Sequence, residues 1–244
     1  MKAMVFAAGL GTRLKPLTDT LPKALVPVGG EPLLAHVIRK LASYGYDDII
    51  VNVHHFARQI REYLADAEFG VRIRVSDETD LLRETGGAVR HARPLLEGDG
   101  PFLIHNVDIL SDLDLDWFRS EARPDALANI LVSDRETSRY FLFDDAMRLV
   151  GWTNVKTGEI RSPYPGLDPS ACRKYAFAGI HLQSQAIFRA FEEYGFGERF
   201  PIVDFYLKAC ADHPVYGIVP EKLRLIDVGK MDSLAEAERL YSSM

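Results

Sequence analysis

The chain has 244 residues, 47% of them hydrophobic, enough for one large core or a core with a small lobe. Its formal net charge of -6 excludes a general nucleic-acid binder, which carries a basic excess. Two cysteines, Cys172 and Cys210, make no disulfide framework, and no apolar run is long enough to span a membrane. The N-terminus enters a strand with no signal-peptide layout, so the expected setting is a reducing, cytoplasmic one, without nucleic acid or membrane as partner.

Ala3 to Ala7 is an apolar run that predicts a buried first strand. A loop from Ala8 to about Thr20 follows. Gly9 and Gly11 free backbone N–H groups from side-chain cover, Thr12 adds a hydroxyl, and Arg13, Lys15 and Lys23 add positive charge, a composition suited to phosphate. Gly-X-Gly alone equally marks a plain turn. The position three after Gly11 is Leu14, and no Gly-Lys-Ser/Thr follows, so neither the dinucleotide fingerprint nor a Walker loop is present. Pro16, Pro22 and Pro27 predict an extended segment holding Lys23 at a fixed distance from the glycines; a solvated Lys23 is the alternative.

Pro32–Ser43 shows a helical stripe closed by Gly45, then Ile49–Val53 a strand, Ala57–Leu64 a helix and Val71–Val75 a third strand. Alternating strands and helices predict crossover units and a mostly parallel sheet, whose ligands sit beyond the carboxyl ends of the strands. His54-His55 read as structural, since no acid or cysteine is spaced to complete a metal site. Glu84-Thr85-Gly86-Gly87 precedes an apolar helix (Ala88, Val89, Ala92, Leu95, Leu96). It reads either as a helix start capped by Thr85 or as a bare loop against which a flat base can lie.

Pro101–His105 is a strand running into Asn106-Val107-Asp108. An aspartate there needs a partner, either a cation or a turn amide. Asp112, Asp114 and Asp116 fit the turn or cap role better. Asp114–Ala122 is a short helix and Ala126–Val132 a strand. Between 134 and 170 short strand-like pieces, Tyr140–Phe143 and Arg148–Trp152, predict antiparallel hairpins forming a lobe over the mouth of the site, within one domain spanning 1–244. Tyr175–Leu182 is a strand whose Gly179 marks either a bulge or a close backbone approach. Gln185–Tyr194 and Ile202–Ala211 are helices, the second carrying Asp204, which caps or solvates that helix or faces a ligand. Leu225–Gly229 is a last strand with Asp227, and Ser233–Tyr241 a closing helix.

The string Ala7-Ala8-Gly9-Leu10-Gly11-Thr12-Arg13-Leu14-Lys15-Pro16-Leu17-Thr18, with Pro22-Lys23-Ala24-Leu25-Val26-Pro27-Val28, resembles the signature of the sugar-phosphate nucleotidyltransferases, the NDP-sugar pyrophosphorylases. Glu84-Thr85-Gly86-Gly87 is similar to the form in N-acetylmuramate-1-phosphate uridylyltransferases. Asn106-Val107-Asp108 looks like the family's Asn-Gly-Asp, with Val107 for glycine. Leu225-Ile226-Asp227-Val228-Gly229 looks like its Trp-x-Asp-Val/Ile-Gly, with Leu225 for tryptophan.

The resemblance implies an α/β, Rossmann-like (GT-A-like) three-layer sandwich with a mixed, mostly parallel central sheet and a small antiparallel lobe. It implies Mg²⁺ on Asp108 and Asp227, with Arg13, Lys23 and Asp108 catalytic. Nucleotide contacts would come from Ala7, Ala8, Gly9, Gly11, Thr12, Arg13, Lys23, Thr85 and Gly86, and sugar-phosphate contacts from Asn106, Gly179 and Asp204. The implied partners are a nucleoside triphosphate and a sugar 1-phosphate, joined as NDP-sugar with loss of pyrophosphate. UTP with N-acetylmuramate 1-phosphate or a similar hexose 1-phosphate leads. A GTP-dependent mannose- or heptose-1-phosphate guanylyltransferase and a non-catalytic nucleotide-sugar sensor are the alternatives. A monomer or small homo-oligomer is expected. Hexapeptide repeats are absent, so no attached β-helix domain is expected.

Overall fold

The computed structural model describes residues 1–241; residues 242–244, the end of the expected domain, lie outside the described residues. Strand β1 (Lys2–Phe6) lies between two parallel neighbours, β4 (Asp48–Val53) and β6 (Phe102–Asn106), and β5 (Arg72–Asp77) extends the parallel group beyond β4. Both faces of β1 are covered. Ala3 and Val5 enter one apolar cluster and Met4 the other, which is why its sequence is continuously apolar rather than alternating.

Helices α1 (Leu33–Ser43) and α2 (Ala57–Asp66) pack on the first face. In α1 the residues Leu33, Leu34, Val37, Ile38 and Leu41 are all buried, each contributing roughly 1.5–3 kcal/mol relative to exposure. On the second face lie α3 (Glu84–His91) and α4 (Arg93–Leu96), where the sequence pattern predicts one helix and Pro94 starts a second. Further along the chain come β7 (Ile109–Ser111), α5 (Leu115–Ser120) and β8 (Ala128–Ser133). Asp114 caps α5, accepting from the N–H groups of Asp116 and Trp117.

The antiparallel hairpins are β9 (Arg139–Phe143), β10 (Leu149–Asn154) and β11 (Glu159–Arg161). They continue the main sheet through the long strand β12 (Arg173–Gln183). Its first residues pair with β9 and its last with β6, while β8 runs along its other edge. The result is one ten-stranded mixed sheet, parallel at its centre, with β8 also pairing with β13 (Val215–Ile218). Helices α6 (Ile187–Glu193) and α7 (Ile202–Ala209) cover its second face. Strand β14 (Leu225–Asp227) leaves the sheet to pair with β7, and α8 (Met231–Tyr241) closes the described chain. A small hairpin, β2 (Pro27–Val28) with β3 (Glu31–Pro32), completes the strands. Among the described residues no helix is long and apolar enough to cross a membrane.

The segment after β1 is not extended. Three single 3₁₀ turns, Thr12–Leu14, Leu17–Asp19 and Lys23–Leu25, fold it up. Pro16 and Pro22 sit just before the second and third turns, where the fixed φ of proline suits a helical start.

Candidate active site

The parallel register sets the carboxyl ends of β1, β4 and β6 side by side. Phe6 lies opposite Asn52 on one side and Asn106 on the other. A cleft of about 540 Å³ opens there, as expected at the carboxyl ends of such strands.

One wall is the glycine loop. Gly11 has φ of 64°, and a Cβ on it would stand 2.8 Å from Thr18 Cγ2 and 3.1 Å from Lys23 Cβ. Its carbonyl accepts from Thr18 Oγ1 at 2.8 Å and from the Leu14 N–H at 2.9 Å. Gly11 thus lets the loop close onto the base of the Lys23 side chain. Gly9 differs, because a Cβ there meets nothing within 4 Å. Its side of the cleft is open space that a ligand can approach. Arg13 lines the same wall and makes no hydrogen bond or ion pair among the described residues.

The floor carries Asp108; Asp227 does not itself line the cleft, and Gly229, which does, stands next to its carboxylate. Lys23 Nζ donates to Asp108 Oδ2, with both side chains largely buried, 11% and 19% exposed. Val107, which stands where the resembled motif has glycine, is buried in the first cluster, donates its N–H to Phe6 O at 3.3 Å and needs no left-handed backbone. Strand β14 sets Asp227 opposite Ile109, the residue after Asp108, and Val228 N–H bonds Asp108 O at 2.8 Å. Asp227 Oδ1 is buried with no hydrogen-bond donor among the described residues. A Cβ on Gly229 would lie 2.7 Å from both this oxygen and Arg13 Nη2, so only glycine admits the guanidinium and carboxylate together.

The other end of the cleft adds two residues that the sequence pattern does not single out, Asn52 and Glu78. Asn52, 3% exposed, accepts from the Ala7 N–H through Oδ1 at 2.7 Å and donates through Nδ2 to Glu78 Oε1 at 2.8 Å. Burial pushes the Glu78 carboxyl above its ordinary range, opposed by the bond from Asn52. His54 Nδ1 lies 2.6 Å from Glu78 O, a structural bond in keeping with its reading. Glu84 also lines the cleft, in a left-handed conformation with φ of 59°, an uncommon state for a non-glycine residue. The signal available in sequence was positional only: Asn52 and Glu78 each fall at or just past the carboxyl end of a predicted strand.

Ala7, Ala8, Gly9, Gly11, Thr12, Arg13, Lys23, Thr85, Asn106 and Asp108 all line the cleft. Ala7 has already committed its N–H to Asn52, leaving its carbonyl. Thr85 does not cap its own helix; its Oγ1 accepts from the Ile202 N–H at 2.8 Å, tying α3 to α7. Gly86 stands behind the wall. The N–H groups of Gly86 and Gly87 both donate to Phe200 O, at 2.8 and 3.1 Å, and a Cβ on either would come within 2.2 Å of the 198–200 segment. Their lack of side chains serves that close approach. Gly179, with φ of 75°, sits where the β12–β8 register shifts, which makes it a bulge; its Cβ position is 2.7 Å from Asn106 Nδ2. Asp204 pairs with Arg161 at 2.9 Å and lies one turn beyond Pro201, a cleft residue. No residue of 134–170 lines the cleft among the described residues.

The model of the family described as nucleotidyl transferase matches residues 2–141, from β1 through the glycine loop and Asp108 to β9. The chain belongs to the nucleotidyl transferase family. Consistent with membership, it is 32% identical over 233 residues to an N-acetylmuramate alpha-1-phosphate uridylyltransferase of Caulobacter vibrioides, covering 91% of this chain and 89% of that one. A mannose-1-phosphate guanyltransferase of Gibberella zeae is 36% identical over 114 residues, 46% of this chain and 31% of its own. A putative glucose-1-phosphate thymidylyltransferase from Bacillus anthracis shares the fold, with a TM-score of 0.80 at 19% identity over 100% of this chain and 96% of that one. The fold is therefore the Rossmann-like, GT-A-like one of these transferases. Family and site together support nucleotidyl transfer to a sugar 1-phosphate.

Proposed function

We propose that this nucleotidyltransferase moves a uridylyl group from UTP to N-acetylmuramate 1-phosphate or a similar hexose 1-phosphate, releasing pyrophosphate in a Mg²⁺-dependent reaction. One observation carries the chemistry: the open glycine loop, the unpaired Arg13 and the Lys23–Asp108 pair share a single cleft. The base and sugar rest on the name of the Caulobacter relative, aligned over most of both chains.

Charge orients the triphosphate. Glu78 and Glu84 line one end of the cleft and Arg13 and Lys23 the other, so the phosphates lie at the Gly11–Arg13 end and the base toward α3. The N–H groups of Gly11 and Thr12, with Arg13, hold the β- and γ-phosphates, and Lys23 neutralises charge at the reacting centre. An oxygen of the sugar 1-phosphate attacks the α-phosphorus in line. That P–O bond forms as the bond from the α-phosphorus to its bridging oxygen breaks, and pyrophosphate leaves with the electron pair. Asn106, with the Gly179 bulge beside it, and Asp204 on α7 are the sugar-side candidates.

Asp108 and Asp227 fit a magnesium ion. Asp227 Oδ1 is an orphaned buried acceptor among the described residues, one residue before Val228, whose N–H bonds Asp108 O, and no cluster of three or more His, Cys, Asp or Glu among those residues offers a fuller protein ligand set. Two hard oxygen donors, with the remaining positions left to phosphate and water, are what Mg²⁺ takes. When bound, it would supply charge neutralisation to the reacting phosphates.

The test is pyrophosphate release from four triphosphates crossed with a panel of sugar 1-phosphates. UTP with N-acetylmuramate 1-phosphate is expected to give the highest kcat/KM. A best pair of GTP with a mannose- or heptose-type phosphate overturns the substrate assignment, and no release from any pair overturns catalysis in favour of a sensor.

A further inference from the structure

The two acids of the site differ in how they are neutralised. Among the described residues Asp227 Oδ1 has no donor, whereas Asp108 Oδ2 accepts from the ammonium of Lys23, an internal cation largely shielded from water. A divalent cation that takes the Asp108 carboxylate must share it with, or displace, that ammonium, since two positive charges at one poorly solvated oxygen repel. The root of Lys23 is fixed elsewhere. Its turn, Lys23–Leu25, packs against Gly11, with Lys23 Cβ 3.1 Å from the place a Gly11 Cβ would occupy. The flexible four-carbon stem can therefore carry Nζ from Asp108 to a phosphate lying on the Gly11 loop while the backbone stays in place.

We propose that Lys23 is a positioning residue for the metal: it holds the Asp108 carboxylate closed to a divalent cation until a triphosphate on the Gly9–Arg13 loop draws the ammonium away. Cation binding then waits on nucleotide binding, and the Asp108–Asp227 pair does not gather metal ions without substrate. The inference rests on the reading that these two aspartates hold Mg²⁺.

The experiment titrates the purified full chain with Mn²⁺ in the absence of nucleotide and reads free Mn²⁺ by electron paramagnetic resonance, with thermal melts on the same samples. Lys23→Met is expected to bind Mn²⁺ at least tenfold more tightly than wild type. Lys23→Gln, which keeps a donor but no charge, is expected to show the same gain and serves if the methionine variant does not fold. Adding Asp108→Asn to either should erase the gain. A lysine that only contacts phosphate leaves Mn²⁺ affinity unmoved. Equal binding by wild type and both Lys23 variants, with weaker binding by Asp108→Asn, overturns the role of Lys23 and leaves the metal reading standing. No Mn²⁺ binding by any variant overturns the metal reading and this inference with it.

Discussion

Val228 donates its backbone N–H to the carbonyl of Asp108 across 2.8 Å. That bond, with Asp227 set opposite Ile109, carries an acid from the last strand to the side of an acid from the first half of the chain. Neither acid lies in the main sheet. Their backbones meet because the short strands β7 and β14 pair with each other outside it, and the proposed metal site depends on that side pairing.

Asp108→Asn keeps the shape of the side chain and an acceptor for Lys23 but removes the charge. Pyrophosphate release is expected to fall by about 10²-fold or more. The melting midpoint should also fall, because Asn leaves a largely buried ammonium without its counter-charge, a loss of roughly 3–5 kcal/mol, so turnover is read on folded protein well below that midpoint. Wild-type turnover in this variant would remove Asp108 from the site.

The two glycines of the loop should separate cleanly. Gly11→Ala places a Cβ on a left-handed backbone and against Thr18, and should cost roughly 1–3 kcal/mol in denaturant unfolding. Gly9→Ala meets no protein atom, so its stability should match wild type while the triphosphate KM rises roughly tenfold through lost close approach. The opposite pattern, an unstable Gly9→Ala and a normal Gly11→Ala, would contradict the roles drawn from the geometry.

Asn52→Leu strips the buried Ala7 N–H and Glu78 Oε1 of a shared partner, at roughly 1–3 kcal/mol for each group left unsatisfied. Kinetics with each substrate varied in turn should show kcat/KM falling more for the triphosphate than for the sugar 1-phosphate. An equal fall for both would make Asn52 a general structural residue.

Much of this was legible before any coordinates. Glycines beside Arg13, and apolar runs alternating with helical stripes, are local signals, and they carry the parallel half of the sheet. Asn52 and Glu78 escaped because each is one polar residue at a strand end, and its meaning comes from a partner on a neighbouring strand. Gly86-Gly87 escaped in another way. The need for glycine is imposed by Phe200 and Glu198, far along the chain, so the doublet looks like a turn or a ligand loop from its own neighbourhood. The short pieces β2, β3, β7 and β13 are too brief to show a period, and the apolar run from Val215 to Ile218 has no alternation to mark it.

Acid should weaken the fold through its buried imidazoles. Gln183 Nε2 donates to the Tyr206 hydroxyl, which lies within hydrogen-bond distance, 2.6 Å, of His181 Nδ1. Desolvation, aided by nearby His105, holds the His181 imidazolium down to about 3, against an ordinary 6.5. Desolvation likewise lowers His105 to about 4. The folded values lie below the unfolded ones, so from about pH 6.5 downward the unfolded chain binds protons that the folded chain refuses. Stability is complete above pH 6.5 and drains as the pH falls, at up to ~1.4 kcal/mol per pH unit per histidine. Chemical denaturation at pH 7, 6 and 5 should show the decline, with a shallower slope in His181→Asn. Stability that holds level between pH 7 and 5 would rule this out.

Strand β12 belongs to two neighbourhoods at once, with residues 173–175 zipped to β9 and 180–183 to β6. The bulge at Gly179 falls between those stretches, so the hairpin region hangs from one end of a strand whose other end is anchored in the parallel centre. Such a layout favours exchange by cassette: residues 139–161 could be traded for the equivalent stretch of a relative while the rear pairing of β12 preserves the register beneath. Such a transplant would rewrite that edge of the sheet while leaving every residue that lines the cleft in place.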